Sequence, residues 1–429
     1  MFSQISPFIP QKNIKQTKKE ITMKKLLYKI ISLSLLFATV SFAANDYTNS
    51  HNFLGGNGDG RTPRGSLILT NGVFYGMTYQ GGVNDIGVIF KMDKKNNNYV
   101  NLHEFTGGNG DGRLPYYGAL TLFGSTLYGM TSEGGTNNYG VIFKIATNGN
   151  NYATIHEFAN DNDGWEPYGS LLIFDNKLYG MSHNGGKGDG EIFKVDIDGK
   201  NYSTLHKFGA FSHDGLWPYG SLILFNNKLY GMTNEGGTNN AGTIFRIDLN
   251  GANYTNLHNF ARTSGNGACP YGSLVYYDGV FYGMTKSGGA DSFGVVFKIN
   301  TDGSGYANLH EFNGNDGRYP YGNPMIYDYK IYGMIEDGLS SHGAIFQMDI
   351  DGNNYTNLHN FHSNIYDGGN PYGSLTLFDD ALYGMTSSGG SSAKGVIFKQ
   401  LLSEVPEPFC LSFVIINLIL LFRKIKFEN

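Results

Sequence analysis

The chain has 429 residues, a formal net charge of −5 and only 16% charged residues, so it carries neither a basic field that would draw in nucleic acid nor a block of like charge that would act as a tail. Its two cysteines, Cys269 and Cys410, exclude a disulfide framework. Gly (61), Tyr (30) and Phe (30) are abundant, and runs of strand formers are cut by Asn-Gly and Asp-Gly turns, which is the composition of an all-β protein without long helices.

Residues 1–22 are polar and basic and precede a second methionine, Met23. From there the order is that of a secretory signal: Lys24 and Lys25, an apolar stretch from Leu26 to Val40 broken only by Lys29, then Ser41, Phe42 and Ala43. Small residues stand at the two positions a signal peptidase reads. Translation is therefore expected to start at Met23, with cleavage after Ala43 and export of the rest.

The next 350 or so residues, 44–400, repeat themselves. The triplet Tyr-Gly-Met recurs with Met77, Met130, Met181, Met232, Met284, Met334 and Met385, at intervals of 50 to 53 residues. A fixed period of that size signals a propeller or a solenoid, and repetition lets a single domain run this long. The fourth unit gives four strands: Ser221 to Phe225, Lys228 to Thr233, Gly242 to Asp248 and Tyr254 to Phe260. Asn226 and Asn227 suit the positive φ of a tight hairpin between the first two, and Asn250 and Gly251 form the turn before the last. The first and third strands are apolar almost throughout, as a strand covered on both faces requires. Gly231, inside the second strand, leaves room for a close aromatic ring or backbone.

The seventh unit ends at Ile397, Phe398 and Lys399 without a fourth strand, whereas Tyr47 to Phe53 is a fourth strand with no unit before it. Joining the two would close a seven-bladed β-propeller of four-stranded antiparallel blades. Loop closure over that length costs roughly 5 kcal/mol, which several ladder hydrogen bonds at ~1 kcal/mol each and burial of Tyr47 and Phe53 at ~1.5–3 kcal/mol each can offset.

Beyond the repeats, residues 401–429 hold Val405, Pro406, Glu407 and Pro408, an apolar run from Phe409 to Phe422, then Arg423, Lys424 and Lys426. This order resembles the PEP-CTERM sorting signal of Gram-negative bacteria. The resemblance implies recognition by an exosortase, passage to the cell surface, and tethering to the membrane or release after processing. An ordinary short membrane anchor is the competing reading, although the run is shorter than the roughly 20 residues of a full span. The repeat region, through Tyr-Gly-Met-Thr, the Gly doublet and Gly140, Val141, Ile142, Phe143, Lys144, resembles the GloVer-type tandem repeats of bacterial surface proteins. That resemblance implies a repeat-built, surface-anchored protein without an assigned activity. The doublet is also similar to that of kelch blades, but their Trp is missing; the sixth unit is expected to have Asp337 and Gly338 where the doublet should be.

Seven of the eleven histidines, His51, His103, His156, His206, His258, His310 and His359, occupy one repeat position. A metal needs its ligands within a few ångström of one another, which equivalent positions in sheets ~10 Å apart do not provide, so a hydrogen bond within each blade is the better reading. Asp59, Asp111, Asp163, Asp214, Asp316 and Asp367 precede a Gly in the connection between units. A ring of them could hold Ca2+, but the fifth unit has Asn266, which keeps a turn and discards the charge. Tyr168, Tyr219, Tyr271, Tyr321 and Tyr372 follow the repeated Pro and would stack on sugar rings if they line a channel mouth; Arg64 takes that slot in the first unit, and interblade packing explains the tyrosines equally well. No nucleophile elbow, zinc-protease helix or phosphate loop is present.

In a four-stranded meander the second-to-third and fourth-to-first connections share one face. That face carries the most varied loops, Asn160 to Trp165, Ala210 to Trp217, Arg262 to Cys269 and His362 to Asn370, with Glu133, His183, Glu235, Lys286 and Glu336 near the doublets. Varied loops on one face are where repeat proteins bind, so Trp165, Trp217, His183 and the five tyrosines are the expected ligand residues. The expected role is a surface binding or structural module, for instance toward extracellular polysaccharide; the rival is a glycan-active enzyme with a site at the channel.

Overall fold

The computed structural model describes residues 46–402 except 96, 160–162, 186–187 and 339. The signal segment ending at Ala43, Cys410, and the tail with Pro406, Glu407 and Pro408 lie outside the described residues. Among those described there is no helix, hence none long and apolar enough to cross a membrane.

Seven antiparallel sheets follow one another along the chain. In the first blade the strands are Ile68–Thr70, Val73–Thr78, Val88–Asp93 and Tyr99–Glu104. In the fourth they are Ile223–Phe225, Lys228–Thr233, Thr243–Asp248 and Thr255–Asn259. Asn226 and Asn227 have φ of 47° and 56°, the left-handed pair of a type I′ hairpin turn that matches the twist of its strands. The third strand is covered on both faces, as its apolar run requires, but the first is only half-buried. The reason is position: this strand is the inner edge of its sheet, and although Ile223 and Phe225 pack toward one neighbouring blade and Leu224 toward the other, its free edge is left uncovered.

The seventh blade is made from both ends of the described chain. Tyr47–Asn52 pairs with Val396–Leu401, Tyr47 opposite Gln400 and Asn52 opposite Val396. The register slips between Asn49 and His51, where the internal fourth strands slip too, as between Ile244 and Phe245. The orphan strand thus repeats the bulge of its internal counterparts. It also packs into two interblade cores: Phe53 joins Phe74, Phe90 and Tyr383, while Tyr47 joins Met334, Phe361 and Phe398.

At the axis the blades meet backbone to backbone. A Cβ added to Gly65 would stand 2.3 Å from the Gly118 carbonyl oxygen, and the same clash runs through Gly169, Gly220, Gly272 and Gly322 to Gly373, which would strike Gly65 at 2.1 Å. Only glycine fits a junction this close. One residue on, a backbone N–H donates to the next blade's side chain: Ala119 to Ser170 Oγ at 2.8 Å, Ser273 to Asn323 Oδ1 at 2.5 Å, Ser374 to Ser66 Oγ at 2.8 Å. Ser221 therefore belongs to this interblade ring and not to the first strand. Inside the second strand, a Cβ on Gly231 would come within 2.6 Å of Phe245 Cζ, the aromatic approach its position implied.

If the closing strand is a full member of its blade, Phe53→Ala and its internal equivalent Phe260→Ala should each lower the unfolding free energy by about 3–5 kcal/mol, the usual cost of emptying a buried Phe site. Urea denaturation measures both; a Phe53 loss under a third of the Phe260 loss would mean the strand docks only weakly.

Candidate functional site

Each fourth-to-first connection pairs with the loop after the second strand, as Gly60–Arg61 does with Gln80–Gly81 and Gly215–Leu216 with Glu235–Gly236. Both connections therefore share one face, as the meander topology demands. In the sixth blade the second strand runs on from Lys330 to Asp337 and pairs with Arg318–Pro320. Asp337 stands opposite Arg318 as Glu235 stands opposite Leu216, so Gly338 keeps the first Gly of the doublet and the second is the one replaced, contrary to the sequence expectation.

The residue before each repeated Pro is left-handed in every blade: Thr62, Leu114, Glu166, Trp217, Cys269, Tyr319 and Asn370, with φ between 52° and 61°. Bulky and β-branched residues pay for this conformation, which survives only when its surroundings impose it. Here the surroundings are the preceding blade, whose carbonyls accept these N–H groups: Thr62 to Lys394 O at 2.8 Å, Glu166 to Tyr139 O at 3.0 Å, Trp217 to Asp189 O at 2.9 Å, Asn370 to His342 O at 2.7 Å. The backbone is fixed and the side chain is left free to vary.

After the Pro, the tyrosines converge around the axis. Neighbouring ring centroids lie 4.9 Å apart for Tyr116 and Tyr168, 5.2 Å for Tyr168 and Tyr219, 4.3 Å for Tyr219 and Tyr271, 4.9 Å for Tyr271 and Tyr321, and 5.0 Å for Tyr321 and Tyr372. Arg64 closes the circle, its guanidinium 4.8 Å from the Tyr116 ring and 5.4 Å from that of Tyr372. Tyr117 stands in the middle, 6.1 to 6.3 Å from Tyr168, Tyr219, Tyr271, Tyr321 and Tyr372. It exists because the second unit reads Pro115-Tyr116-Tyr117-Gly118 where the others read Pro-x-Gly. Below it a cavity of about 40 Å³ is bounded by Ser66, Ser170, Ser221, Ser273, Asn323 and Ser374, room for about three waters.

The second residue after the repeated Met leans on this ring in several blades and differs between them. His183 packs against Tyr168 at 4.8 Å, Tyr219 at 4.4 Å and Trp217 at 6.3 Å. Burial lowers its pKa to about 4, only partly offset by its hydrogen bond to the Pro218 carbonyl, so it is neutral at physiological pH. Glu336 accepts from the Tyr372 hydroxyl at 2.7 Å, and Lys286 Nζ lies 5.0 and 4.8 Å from the Tyr271 and Tyr321 rings. In the third blade Glu166 accepts from the Tyr168 hydroxyl at 3.0 Å and from Asn184 Nδ2 at 2.9 Å. Burial pushes the phenols of Tyr168, Tyr321 and Tyr372 well up.

Tyr168, Tyr219, Tyr271, Tyr321, Tyr372, His183 and Trp217 are thus brought together. Trp165 is not: its ring lies 5.5 Å from Tyr139, away from the circle. The sequence reading did not assign a site role to Tyr116, Tyr117 or Glu166; the doubled Tyr in the second unit was the available signal. The six aspartates stay in their own blades. Each meets the histidine of the preceding fourth strand, as His51 and Asp59 at 3.2 Å, His156 and Asp163 at 2.9 Å, His206 and Asp214 at 3.0 Å, His310 and Asp316 at 3.0 Å, and His359 and Asp367 at 3.0 Å. Asn266 does the same toward His258 at 3.1 Å. Burial opposes ionisation of Asp111, but hydrogen bonds from His103, Tyr152 and Thr106 outweigh it and hold the carboxyl near 2. Among the described residues no three His, Cys, Asp or Glu side chains gather as a metal site would need.

A family model described as the Gloeobacter/Verrucomicrobia repeat matches residues 36–171, 124–342 and 264–406. The chain belongs to this repeat family. No curated protein matches it. Among solved structures, members of other families share the fold of this repeat protein. A GH74 enzyme from Niastella koreensis matches with TM-score 0.58 and 16% identity over 83% of this chain and 54% of that one. The extracellular domain of the one-component system BT4673 from B. thetaiotaomicron gives 0.53 and 12% over 82% and 39%. An oligogalacturonate lyase in complex with manganese gives 0.51 and 12% over 84% and 91%.

The third blade departs from the repeat pattern at the start of its third strand. Glu191 stands where other blades have Val88, Val141, Thr243 or Val295; it is fully buried and accepts from the hydroxyls of Tyr202 at 2.5 Å and Thr204 at 3.2 Å. Burial pushes its pKa to about 7 despite those bonds. A carboxyl raised on folding is more stable protonated, so its contribution is intact below the ordinary carboxylate range and is lost as the pH rises through about 7. Glu191→Thr, the residue of the fourth blade, should therefore raise stability by about 3 kcal/mol at pH 8 and by much less at pH 5, read from urea unfolding at the two pH values. An equal gain at both would place the cost elsewhere than in the charge.

Proposed function

We propose that this protein is an exported binding module whose axial tyrosine circle takes a glycan. The observation that carries the reading is the convergence of Tyr116, Tyr117, Tyr168, Tyr219, Tyr271, Tyr321 and Tyr372 at one end of the axis, bordered by polar residues that differ between blades. A pyranose offers an apolar face to stack on such rings and hydroxyls for a polar border, the combination that small-ligand sites use. The fold is shared with proteins described as a GH74 enzyme and an oligogalacturonate lyase, which supports the reading only as analogy of architecture. Export, and surface attachment through an exosortase or a membrane anchor, rest on the signals at the two ends.

Catalysis on a glycan is the second reading, favoured by the polar group Glu166, His183 and Asn184 in one blade. Against it, Glu166 is engaged by Tyr168 and Asn184. Glycan-array binding of the full chain tests the first reading. Tyr219→Ala with Tyr271→Ala should weaken any binding by about tenfold per ring while the thermal unfolding transition stays cooperative. Glycan turnover that disappears in Glu166→Gln would instead establish the enzyme.

A further inference from the structure

The carboxylates bordering the tyrosine circle are all engaged from within the protein. Glu133 meets Arg113 Nε at 3.2 Å, Glu166 is held by Tyr168 and Asn184, Glu235 accepts from Asn240 Nδ2 at 3.3 Å, and Glu336 accepts from Tyr372. The two cations on the circle are different. Arg64 is held by ring faces, 4.6 Å from Tyr79, 4.8 Å from Tyr116 and 5.4 Å from Tyr372. Among the described residues no carboxylate or carbonyl accepts from its guanidinium, and its Nε is buried without a hydrogen bond. Lys286 likewise has Tyr271 and Tyr321 for company.

Aromatic faces stabilise the charge of a guanidinium, but its five N–H groups point outward in its own plane and need acceptors. A half-buried donor left without one is costly. That plane matches the two oxygens of a carboxylate or sulfate. Packing alone gives no reason for Arg here, because six other blades fill the slot with Tyr and close the same circle.

We infer that Arg64 binds the anionic group of an acidic sugar, a carboxylate or a sulfate ester, whose ring lies over the tyrosine circle, with Lys286 beyond the Tyr321 and Tyr372 pair as a second, longer-range attraction. The inference rests on the glycan reading of the site and adds the ligand's charge.

The test is binding of the full chain to an array of uronate-bearing, sulfated and uncharged glycans, followed by calorimetry on the best ligand and on its methyl-esterified or desulfated form. Arg64→Tyr installs the residue of the other blades and should leave the melting temperature unchanged. The native chain should prefer the charged form by about tenfold or more. Arg64→Tyr should abolish that preference, Arg64→Lys should keep part of it, and added salt should weaken only the charged ligand. Whichever of the uronate and sulfated sets binds identifies the group. Equal binding of charged and uncharged forms, or an undiminished preference in Arg64→Tyr, would overturn the inference and leave the glycan reading standing; no binding anywhere on the array would overturn both.

Discussion

Neighbouring blades are tied along their outer edge by one repeated contact, the stack of a fourth-strand histidine on the tyrosine that opens the next blade's fourth strand. The rings lie 3.7 to 4.3 Å apart and within 7° of parallel from His51 on Tyr99 round to His359 on Tyr47. The last of these joins residues from the two ends of the repeat region. Each histidine is held in place for stacking by the Asp or Asn of its own connection, and the hydroxyls of Tyr99, Tyr306, Tyr355 and Tyr47 reach back over the previous blade's turn, as Tyr47 takes the Gly368 N–H at 3.2 Å. The aspartate ring is in this light the anchor of a structural stack. Asn266 serves as well as Asp because the task is to accept a hydrogen bond from an imidazole, which needs no charge.

With the outer edge tied by stacking and the axis by glycine contacts, the rim of the axial face is released from holding the ring together. The left-handed residue before each Pro shows how. Its φ is enforced by an N–H bond to the preceding blade, so Thr, Leu, Glu, Trp, Cys, Tyr and Asn all occupy it. In most proteins a strained non-glycine backbone limits which residue can follow. Here the strain is met by backbone bonds alone, and the side chain is open to change without loss of the fold. The second residue after the repeated Met, as His183 or Lys286, has the same freedom, because its amide bonds that left-handed carbonyl whatever its side chain.

Much of this was legible in the chain. The four strands of the fourth unit, to within one or two residues at their ends, the hairpin asparagines and the orphan strand at Tyr47 follow from periodicity and turn chemistry, because local rules set them. The face carrying the varied loops followed from topology. What stayed hidden depends on distance from the axis, a quantity a repeat does not encode. The Pro-Tyr-Gly motif could equally have been interblade filling, and the half-burial of the first strand reflects its place at the inner edge of the sheet. Tyr117 reads as a doubled residue in a turn; only closure turns it into the centre of a circle. The His and Asp positions recur at a near-constant offset, yet spacing alone does not say that their side chains face each other.

A sevenfold ring by itself offers seven identical shallow sites or one site on the axis. Tyr117 decides between them. Its ring is within 6.3 Å of five tyrosines from five different blades, so it converts separate aromatic edges into one continuous surface and fills the space through which the channel would otherwise open. One inserted residue achieves this because Gly118 still meets Gly65 and Gly169 at the same close distances; the extra length bulges inward, where the ring has room, and leaves the junctions unaltered. Symmetry then ceases to constrain the border. Arg64, Glu166, His183, Lys286 and Glu336 each occur once around it, and a single central platform makes each of them part of the same site. On the proposed glycan reading, a ligand on that platform would meet a fixed aromatic floor and a border that changes from blade to blade, an arrangement by which near-identical units could hold one ligand in one orientation.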